Sequence, residues 1–255
     1  MENINKGENK IKIIVPFFNT SKWIKKNILS IKNQKYDNFM CYLVDDMSTD
    51  DTREQAQKII NNDKRFIYIK NTEKKYALKN IYDTIKDYNF NDEDIVVLLD
   101  GDDWLASSSV LSKVNKTYND KGCWVTYGSY VEFPSMKKGT FSQKIPQKTI
   151  QDKSYRSEPW RSSHLRTFKV KLWRKIKDQD FLYSKTGKFV KAAWDLAFMF
   201  PMLEMSGDKA EYIPDIMYFY NRENPLNEDK VDHNLQLGEE AEMRSRKSYD
   251  LLESI

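Results

Sequence analysis

The chain has 255 residues, a length that suits one globular unit with a substantial core better than separate modules. Its 42 basic and 38 acidic residues nearly cancel to a net charge of +4, so nothing predicts a surface dedicated to nucleic acid. No apolar run approaches the roughly 20 residues needed to cross a bilayer. The two cysteines fit a reducing, cytoplasmic setting, with peripheral contact to a membrane left open.

Predicted strands and helices alternate along the first hundred residues, after a polar tail expected to be flexible at 1–10. Apolar, β-branched runs predict strands at Ile11–Val15, Phe39–Val44, Phe66–Ile69 and Ile95–Leu99. Helices are predicted from a cap at Thr20 or Ser21 to Ile31, from Asp50 to Ile60, and over Ala77–Tyr88. This alternation predicts an α/β fold with a mostly parallel sheet, helices on both faces, and ligands beyond the carboxyl ends of the strands.

The pattern loosens after Trp104. Cys123–Phe133 favours another pair of strands, 137–161 is polar and rich in loops, and 192–205 predicts an apolar helix despite Pro201. A charged helix is predicted at 233–255. A boundary near residue 105 then divides two halves that share one core.

Two clusters of carboxylates follow predicted strands. Leu99-Asp100-Gly101-Asp102-Asp103-Trp104 places three carboxylates where their repulsion is costly unless a cation is present. Mg²⁺ and Mn²⁺ suit such oxygen ligands together with substrate phosphates, and the alternative is a solvated acidic turn. In Val44-Asp45-Asp46-Met47-Ser48-Thr49-Asp50, the first two aspartates come too early to cap the next helix, so they are candidates for contact with a base or a ribose.

No glycine-rich loop follows the first predicted strand, where Pro16-Phe17-Phe18-Asn19-Thr20 stands instead. Dinucleotide-binding dehydrogenases and P-loop NTPases both need glycines at such a loop, because the backbone must approach the phosphates closely. A nucleotidyltransferase would need a similar phosphate loop. The sequence therefore argues against all three classes.

Three segments in order, Ile14-Val15-Pro16-Phe17-Phe18-Asn19 and the two carboxylate clusters, resemble the inverting family 2 glycosyltransferases of GT-A fold. The resemblance covers about the first 105 residues. It implies metal-dependent transfer of a sugar from a nucleotide sugar, UDP-sugar favoured, to an acceptor hydroxyl with inversion. Residues 11–105 would bind the nucleotide sugar, and 106–232 would form a mixed, acceptor-side region of the same catalytic domain. A non-catalytic protein that retains the fold and binds carbohydrate or nucleotide is the alternative.

The resemblance also implies roles for individual residues, with Mn²⁺ or Mg²⁺ as cofactor. The residues expected to bind the nucleotide are Pro16, Phe17, Asn19, Asp45, Asp46, Lys79 and Asp100. Lys79 stands where the family usually has arginine. Asp102 in the DXD motif is the expected metal ligand, with His233 as a further candidate ligand.

Asp195 corresponds to the family's catalytic base, although a helix N-cap would explain the residue equally simply. Trp194 precedes it, where the family usually has glutamate. The acceptor side is expected to include Trp160, His164 and Trp194, and Trp173 and Tyr220 are further aromatic candidates for stacking on a sugar. The acceptor itself, whether glycan, lipid-linked saccharide, protein or small molecule, is left open.

Overall fold

The computed structural model describes residues 7–227, 230 and 232–255 of the chain. Of the predicted tail at 1–10, residues 1–6 therefore lie outside the described part. Asn9 is held in place, because its backbone and side-chain N–H groups donate to Asn115 Oδ1 at 3.0 and 2.7 Å. The described end of the predicted tail is thus bound to the body of the protein.

The first half of the chain alternates strands and helices, as predicted. Its elements are β1 (Ile11–Phe17), α1 (Ile24–Lys32), β2 (Phe39–Asp45), α2 (Thr52–Ile60), β3 (Phe66–Lys70), α3 (Tyr76–Asp87) and β4 (Ile95–Leu98). β1 continues through Pro16, where the sequence predicts its end. Pro16 lies beyond the pairing of β1 with β4, which ends at Ile14, so its missing N–H is tolerated, while its carbonyl oxygen accepts a hydrogen bond of 3.2 Å from the Gly101 N–H.

The second half adds elements that its sequence pattern indicates less clearly. They are β5 (Trp104–Leu105), α4 (Val110–Lys121), β6 (Val125–Phe133), β7 (Lys137–Lys138), α5 (Gln147–Gln151), β8 (Arg166–Lys169), α6 (Val170–Trp173), β9 (Leu182–Tyr183), β10 (Lys188–Phe189), α7 (Trp194–Ser206), β11 (Ala210–Asn221) and α8 (His233–Ser245). Short 3₁₀ turns lie at Asp178–Phe181 and Gly207–Lys209.

Both halves contribute to one nine-stranded sheet, in the order β3-β2-β1-β4-β8-β6-β11-β5 with β7 beside β6. The strands β1 to β4 are parallel to their neighbours in the first half. β8 is antiparallel to both β4 and β6, and β11 is again parallel to β6. The predicted α/β class with a mostly parallel sheet and a mixed C-terminal region is confirmed.

Alternate residues of the central strands face two separate cores. Ile13 and Val15 in β1 are fully buried in a cluster that includes apolar residues of α1, α2 and α4. Ile14 lies in the other cluster, with apolar residues of α3 and α7. Side chains alternate between the two faces of a strand, so helices cover the sheet on both sides, as predicted.

Three details of the predicted elements are wrong. The region 123–133 forms the single strand β6 rather than two strands, because β8 and β11 pair with its two edges. Helix α1 begins after Trp23 without a side-chain cap, because the Trp23 and Ile24 N–H groups donate to the Thr20 backbone carbonyl oxygen, each at 2.8 Å, and not to a hydroxyl. The C-terminal helix ends at Ser245, because Arg246 is extended and donates to the Asp180 carbonyl oxygen.

Within the described residues, no helix is long and apolar enough to span a membrane. Cys41 and Cys123 are buried free thiols, and burial raises the pKa of both. Neither thiol therefore has the low pKa of a reactive cysteine.

Candidate active site

A cavity of about 750 Å³ lies at the carboxyl ends of the parallel strands, where ligands are expected in an open α/β sheet. One side is formed by residues that end or follow β1, β2 and β4, including Phe18, Asp46 and Asp102. The other side comes from the second half, including Arg166 in β8 and Asp195 in α7. The volume is typical of a small-molecule site.

The turn after β4 is held against the first half of the chain. A Cβ on Gly101 would lie 2.2 Å from the Phe17 Cβ, so only glycine allows this approach. Asn27 Nδ2 donates to the carbonyl oxygens of Asp100 and Asp103 at 2.9 and 2.8 Å. The backbone that carries the three aspartates is thereby fixed before any ligand binds.

Asp103 anchors this turn to β11. Its carboxylate accepts hydrogen bonds from the Tyr218 hydroxyl at 2.5 Å and from the Asn221 backbone N–H at 2.7 Å. The side chain is 1% exposed, and burial raises its pKa well above the usual value. We therefore assign Asp103 to joining the two halves of the chain.

Asp100 and Asp102 both line the cavity. The Tyr218 hydroxyl oxygen lies 3.3 Å from an Asp100 carboxylate oxygen, and Asp102 accepts a hydrogen bond of 2.7 Å from Asn224 Nδ2. Burial and the charge of Asp102 raise the pKa of Asp100 to about 7, and burial raises the pKa of Asp102. A cation between or beside these carboxylates would favour their ionised forms.

The residues of the turn fit a metal that is bound together with a phosphate-bearing ligand. In the described part of the chain, no group of three or more His, Cys, Asp or Glu side chains is placed to hold a metal ion alone. Mg²⁺ and Mn²⁺ commonly use one or two carboxylates plus substrate phosphates, which matches Asp100 and Asp102. His233 is exposed at the start of α8 and is not among the residues that line the cavity.

Asp46 links the end of β2 to the start of α3. Its carboxylate accepts hydrogen bonds from the N–H groups of Lys75 at 2.8 Å and Tyr76 at 2.9 Å, and from Asn71 Nδ2 at 2.8 Å. Burial raises the pKa of Asp46, but these hydrogen bonds outweigh burial and lower it overall. The bond to Tyr76 holds that residue at a left-handed φ of 63°, with its ring on the cavity wall.

The residues expected to bind the nucleotide divide into two groups. Those that line the cavity are Pro16, Phe17, Asp46 and Asp100. Asp45 is directed elsewhere, because its carboxylate accepts hydrogen bonds from the Tyr68 hydroxyl at 2.6 Å and the Ser48 N–H at 2.8 Å. Asn19 accepts a hydrogen bond of 2.8 Å from the Thr49 N–H and is likewise not among the lining residues.

Lys79 also lies away from the cavity, since its ammonium group pairs with Asp83 one turn further along α3. The cationic residues that do line the cavity are Lys74, Lys191, Arg166 and Arg222. The Lys74 Nζ lies 3.0 Å from the centroid of the Phe18 ring, a cation–π contact. These two lysines were not found from the sequence, where they are indistinguishable from the many exposed lysines.

Asp195 lies on the second-half wall of the cavity, in the first turn of α7. The N-cap of this helix is Ala193, so the alternative reading of Asp195 as the cap is wrong. Arg166 Nη2 donates to Asp195 Oδ2 at 2.5 Å. Among the described residues, Oδ1 of Asp195 has no hydrogen-bond partner. One carboxylate oxygen is therefore oriented, and the other is available to a ligand.

His164 lies between two tyrosine rings, with ring centroids 4.4 Å from Tyr218 and 5.2 Å from Tyr220. Its Nδ1 is 3.3 Å from Arg166 Nη1. Burial, with the charge of Arg166, lowers the pKa of His164 well below the usual value, so the ring is neutral near pH 7 and Nδ1 accepts the hydrogen bond. Arg166 thus connects His164 to Asp195.

The three residues expected on the acceptor side, Trp160, His164 and Trp194, all line the cavity. Tyr220 does so as well. Trp173 does not, because it is buried and stacked against Phe168 with a centroid distance of 5.4 Å.

Arg166 and Asn224 were not predicted from the sequence, although each contacts a predicted site residue. Arg166 lies on a strand of only four residues, too short for its alternation to be recognised. Asn224 follows β11, whose pattern predicted no strand. The one signal that the sequence offered was an arginine two residues after His164.

A mostly parallel α/β sheet whose strand ends present paired aspartates to a cavity, opposite a carboxylate from the C-terminal half, is the arrangement of a GT-A glycosyltransferase. The chain matches the sequence model of Glycosyl transferase family 2 over residues 12–177, which is more than half of its length. The protein belongs to that family, as its motifs predicted.

Two curated relatives match part of the chain. An uncharacterized glycosyltransferase of Haemophilus influenzae is 30% identical over 146 residues, which are 55% of this chain and 56% of the relative. The GalNAc(5)-diNAcBac-PP-undecaprenol beta-1,3-glucosyltransferase of Campylobacter jejuni is 32% identical over 112 residues, 43% of this chain and 36% of the relative. The matched regions thus span about half and about a third of these relatives.

Solved structures share the fold. The complex of S. aureus TarS 1-349 with UDP-GlcNAc has a TM-score of 0.64 and 16% identity, over 87% of this chain and 61% of that one. The mannosyltransferase PcManGT from Pyrobaculum calidifontis, in complex with GDP-Man and Mn²⁺, has a TM-score of 0.58 and 16% identity, over 94% and 66%. The predicted GT-A fold is confirmed by these similarities.

Proposed function

We propose that the protein transfers a sugar from a nucleotide sugar to an acceptor hydroxyl, with inversion at the anomeric carbon and with a divalent metal. The observation that carries this proposal is the single cavity lined by Asp100 and Asp102 on one side and by Asp195 on the other. Inversion requires one base that takes the proton from the acceptor hydroxyl, on the side of the anomeric carbon opposite the leaving group. One cavity holds residues suited to both tasks.

Asp102, with Asp100, would hold Mn²⁺ or Mg²⁺ against the donor's diphosphate. The metal supplies positive charge that offsets the charge developing on the departing nucleotide. Asp46 and Phe17 are the residues that we assign to the nucleoside, since Asp45 is engaged by Tyr68 and Ser48. UDP is the favoured nucleotide on the family resemblance, and TarS complexes with UDP and UDP-GlcNAc support it, whereas PcManGT was solved with GDP-Man.

Asp195 would take the proton from the acceptor hydroxyl as that oxygen attacks the anomeric carbon. Its Oδ2 is held by Arg166, which keeps the carboxylate oriented, while Oδ1 accepts the proton. The acceptor sugar would contact the ring side chains that line the same cavity, which are Trp160, His164, Trp194 and Tyr220. The C. jejuni relative acts on an undecaprenol-linked substrate, which supports a lipid-linked acceptor and work at a membrane surface.

The test is first to identify the donor, by screening UDP-, GDP-, dTDP- and CMP-sugars with Mn²⁺ or Mg²⁺ for release of nucleotide. With that donor, Asp195→Asn should bind normally and lose transfer by about 10²- to 10⁴-fold, because it removes the base but retains its size. Asp102→Asn should instead weaken donor binding, and EDTA should abolish transfer. Asp215→Asn, an exposed carboxylate on β11, is the control.

If no nucleotide sugar in the screen releases nucleotide, the alternative is favoured, which is a binding protein that retains the fold but does not catalyse transfer. Transfer by Asp195→Asn at nearly the parent rate would remove the base from the proposal. A product that retains the donor's anomeric configuration would exclude inversion. Undiminished transfer by Asp102→Ala in the presence of chelator would exclude the metal.

A further inference from the structure

One buried carboxylate holds the segment that leads into α7. Glu239 in α8 is 1% exposed and accepts hydrogen bonds from three consecutive backbone N–H groups, those of Lys191 at 3.0 Å, Ala192 at 2.7 Å and Ala193 at 3.1 Å. Ala193 is the N-cap of α7, and backbone N–H groups at and just before a helix start lack partners within the helix and favour a negative charge. Asp195 follows two residues later, so Glu239 fixes the start of the helix that carries it.

The side chain of Lys191 extends from this segment into the cavity. Its Nζ lies 3.9 Å from the centroid of the Tyr76 ring, which is 36% exposed and is itself held by Asp46. In the part of the chain that the structure describes, no carboxylate pairs with Lys191. By contrast, the Lys74 Nζ lies 3.4 Å from an Asp46 carboxylate oxygen. Lys191 is therefore the cavity lysine whose charge is least neutralised by the protein.

An anionic ligand in this cavity needs such a cation. The turn after β4 offers the donor's diphosphate only carboxylates, which repel it unless a metal intervenes. Lys79, where the family usually has arginine, is engaged with Asp83 and does not line the cavity. Lys74 and Arg166, which also line the cavity, are paired with carboxylates, and the Arg222 guanidinium lies 5.5 Å from the centroid of the Tyr220 ring. Lys191 is therefore the cavity cation that we assign to the charge that the metal does not offset.

We infer that Lys191 binds the diphosphate of the donor, and that Glu239 is the positioning residue that holds Lys191 in place. This inference rests on the proposed function and extends it to a new donor contact. It also makes the C-terminal helix α8 part of the donor site. A carboxylate suits this position because its two oxygens together accept all three N–H groups, whereas an amide would turn its own N–H donors toward some of them.

A double-mutant cycle tests the coupling between the two residues. UDP and GDP are titrated by calorimetry with Mn²⁺ into the parent, Lys191→Met, Glu239→Gln and the double variant, and the tighter nucleotide is followed. Lys191→Met should weaken its binding about tenfold, as expected for loss of a charge-assisted hydrogen bond. Glu239→Gln should weaken it similarly, and the double variant should bind no more weakly than either single variant.

Two controls separate positioning from general damage to the fold. The matching nucleoside, which lacks the diphosphate, should bind all four proteins alike. Glu242→Gln changes another carboxylate of α8, which accepts the Ser184 N–H at 3.0 Å away from the cavity, and should bind like the parent.

The outcomes distinguish failure of this inference from failure of the proposed function. Parent-like nucleotide binding by Lys191→Met would overturn the role of Lys191. Losses that multiply in the double variant, or a nucleoside affinity that falls equally, would show that Glu239 acts on the fold and not through Lys191. Unweakened binding by Asp102→Asn would overturn the proposed metal site, and failure of the parent to bind either nucleotide would overturn a UDP- or GDP-sugar donor. This inference would fall with either result.

Discussion

The guanidinium of Arg166 makes two contacts that a single ammonium group cannot reproduce, one with His164 Nδ1 and one with Asp195 Oδ2. Arg166 is 4% exposed, so both contacts are made in a site that largely excludes water. An arginine fork fixes two acceptors in one plane, whereas lysine acts as a point charge. Arg166 is thus suited to aim the proposed base rather than only to balance its charge.

Arg166→Lys should therefore lower the rate of transfer while leaving donor binding nearly unchanged. The positive charge remains, but Asp195 loses its orientation, and misplacement of a catalytic group by an ångström costs about 10²-fold. Rates of transfer and donor affinities are to be measured together. Arg174→Lys, on the surface at Asp92, is the matched control. A parent-like rate for Arg166→Lys would show that charge alone is needed.

The site residues that belong to sequence motifs could be predicted, because each motif is a short continuous segment of the chain. Asp100 and Asp102 follow a buried strand, and Asp195 begins an apolar helix, so residue type and position suffice. The partners of these residues come from distant segments, such as Arg166 for Asp195 and Glu239 for the N–H group of Lys191. No spacing along the chain indicates such pairs, because tertiary contacts alone create them.

At the scale of elements, α7 is the helix on which the second half is assembled. Every residue of α7 except Asp195 is buried, and Glu204, near its end, is the one acidic or basic residue among them. Arg156 donates to both Glu204 carboxylate oxygens, at 2.6 and 2.9 Å. The Tyr249 N–H also donates to Glu204, at 2.9 Å. The pair joins α7 to a loop and to the C-terminal segment.

Glu204→Gln should lower the free energy of unfolding by about 3–5 kcal/mol, because it leaves the charge of Arg156 buried without its partner. Glu93→Gln, which breaks exposed pairs with Lys169 and Lys171, should cost about 1 kcal/mol or less. Urea unfolding measures both. The double variant Arg156→Met, Glu204→Gln should recover part of the loss. Equal costs at positions 204 and 93 would contradict this account of the buried pair.

Elements of the first half were predictable because each strand is a compact apolar run and each helix shows a clear apolar face. The helix Val110–Lys121 was missed, since polar residues dominate it between a few buried positions. The strand Ala210–Asn221 was missed as well, because Pro214 and Asp215 interrupt its pattern at a shift in register with β6. Pairing in the sheet, and not local preference, makes this segment a strand.

At the scale of the whole molecule, one sheet joins the cavity residues of the first half to those of the second half. β8 is inserted between β4 and β6, so Arg166 lies opposite Leu98, just before the turn that carries Asp100. This antiparallel insertion does not follow from the strand and helix pattern, which predicts only the parallel part. It explains how a residue far along the chain reaches the carboxylates of the first half.

The stability of the whole protein should depend on pH through His164, which the stacked tyrosines and Arg166 keep neutral. Its pKa in the folded state is lowered, whereas in the unfolded chain it returns to about 6.5. Below that pH the unfolded state binds a proton that the folded state does not. The contribution of His164 to stability is therefore complete above about pH 6.5 and is lost as the pH falls toward the folded-state pKa, by at most about 1.4 kcal/mol per pH unit.

The measurement is the free energy of urea unfolding between about pH 5 and pH 7.5, for the parent and for His164→Phe, which keeps an aromatic ring between the tyrosines but cannot titrate. Buried carboxylates of the turn after β4 have raised pKa values and contribute with the opposite sign, so the decisive quantity is the difference between the two proteins. Their contribution cancels in that difference, provided that the turn is unchanged. The free energy of unfolding of the parent, relative to that of His164→Phe, should fall as the pH falls below about 6.5.

The variant His233→Asn, which removes the other, exposed histidine, is the control, and its free energy of unfolding should change with pH in parallel with that of the parent. A constant difference between the parent and His164→Phe across this range would show that the folded state accommodates a protonated His164, and the neutral acceptor role of its Nδ1 toward Arg166 would then be wrong.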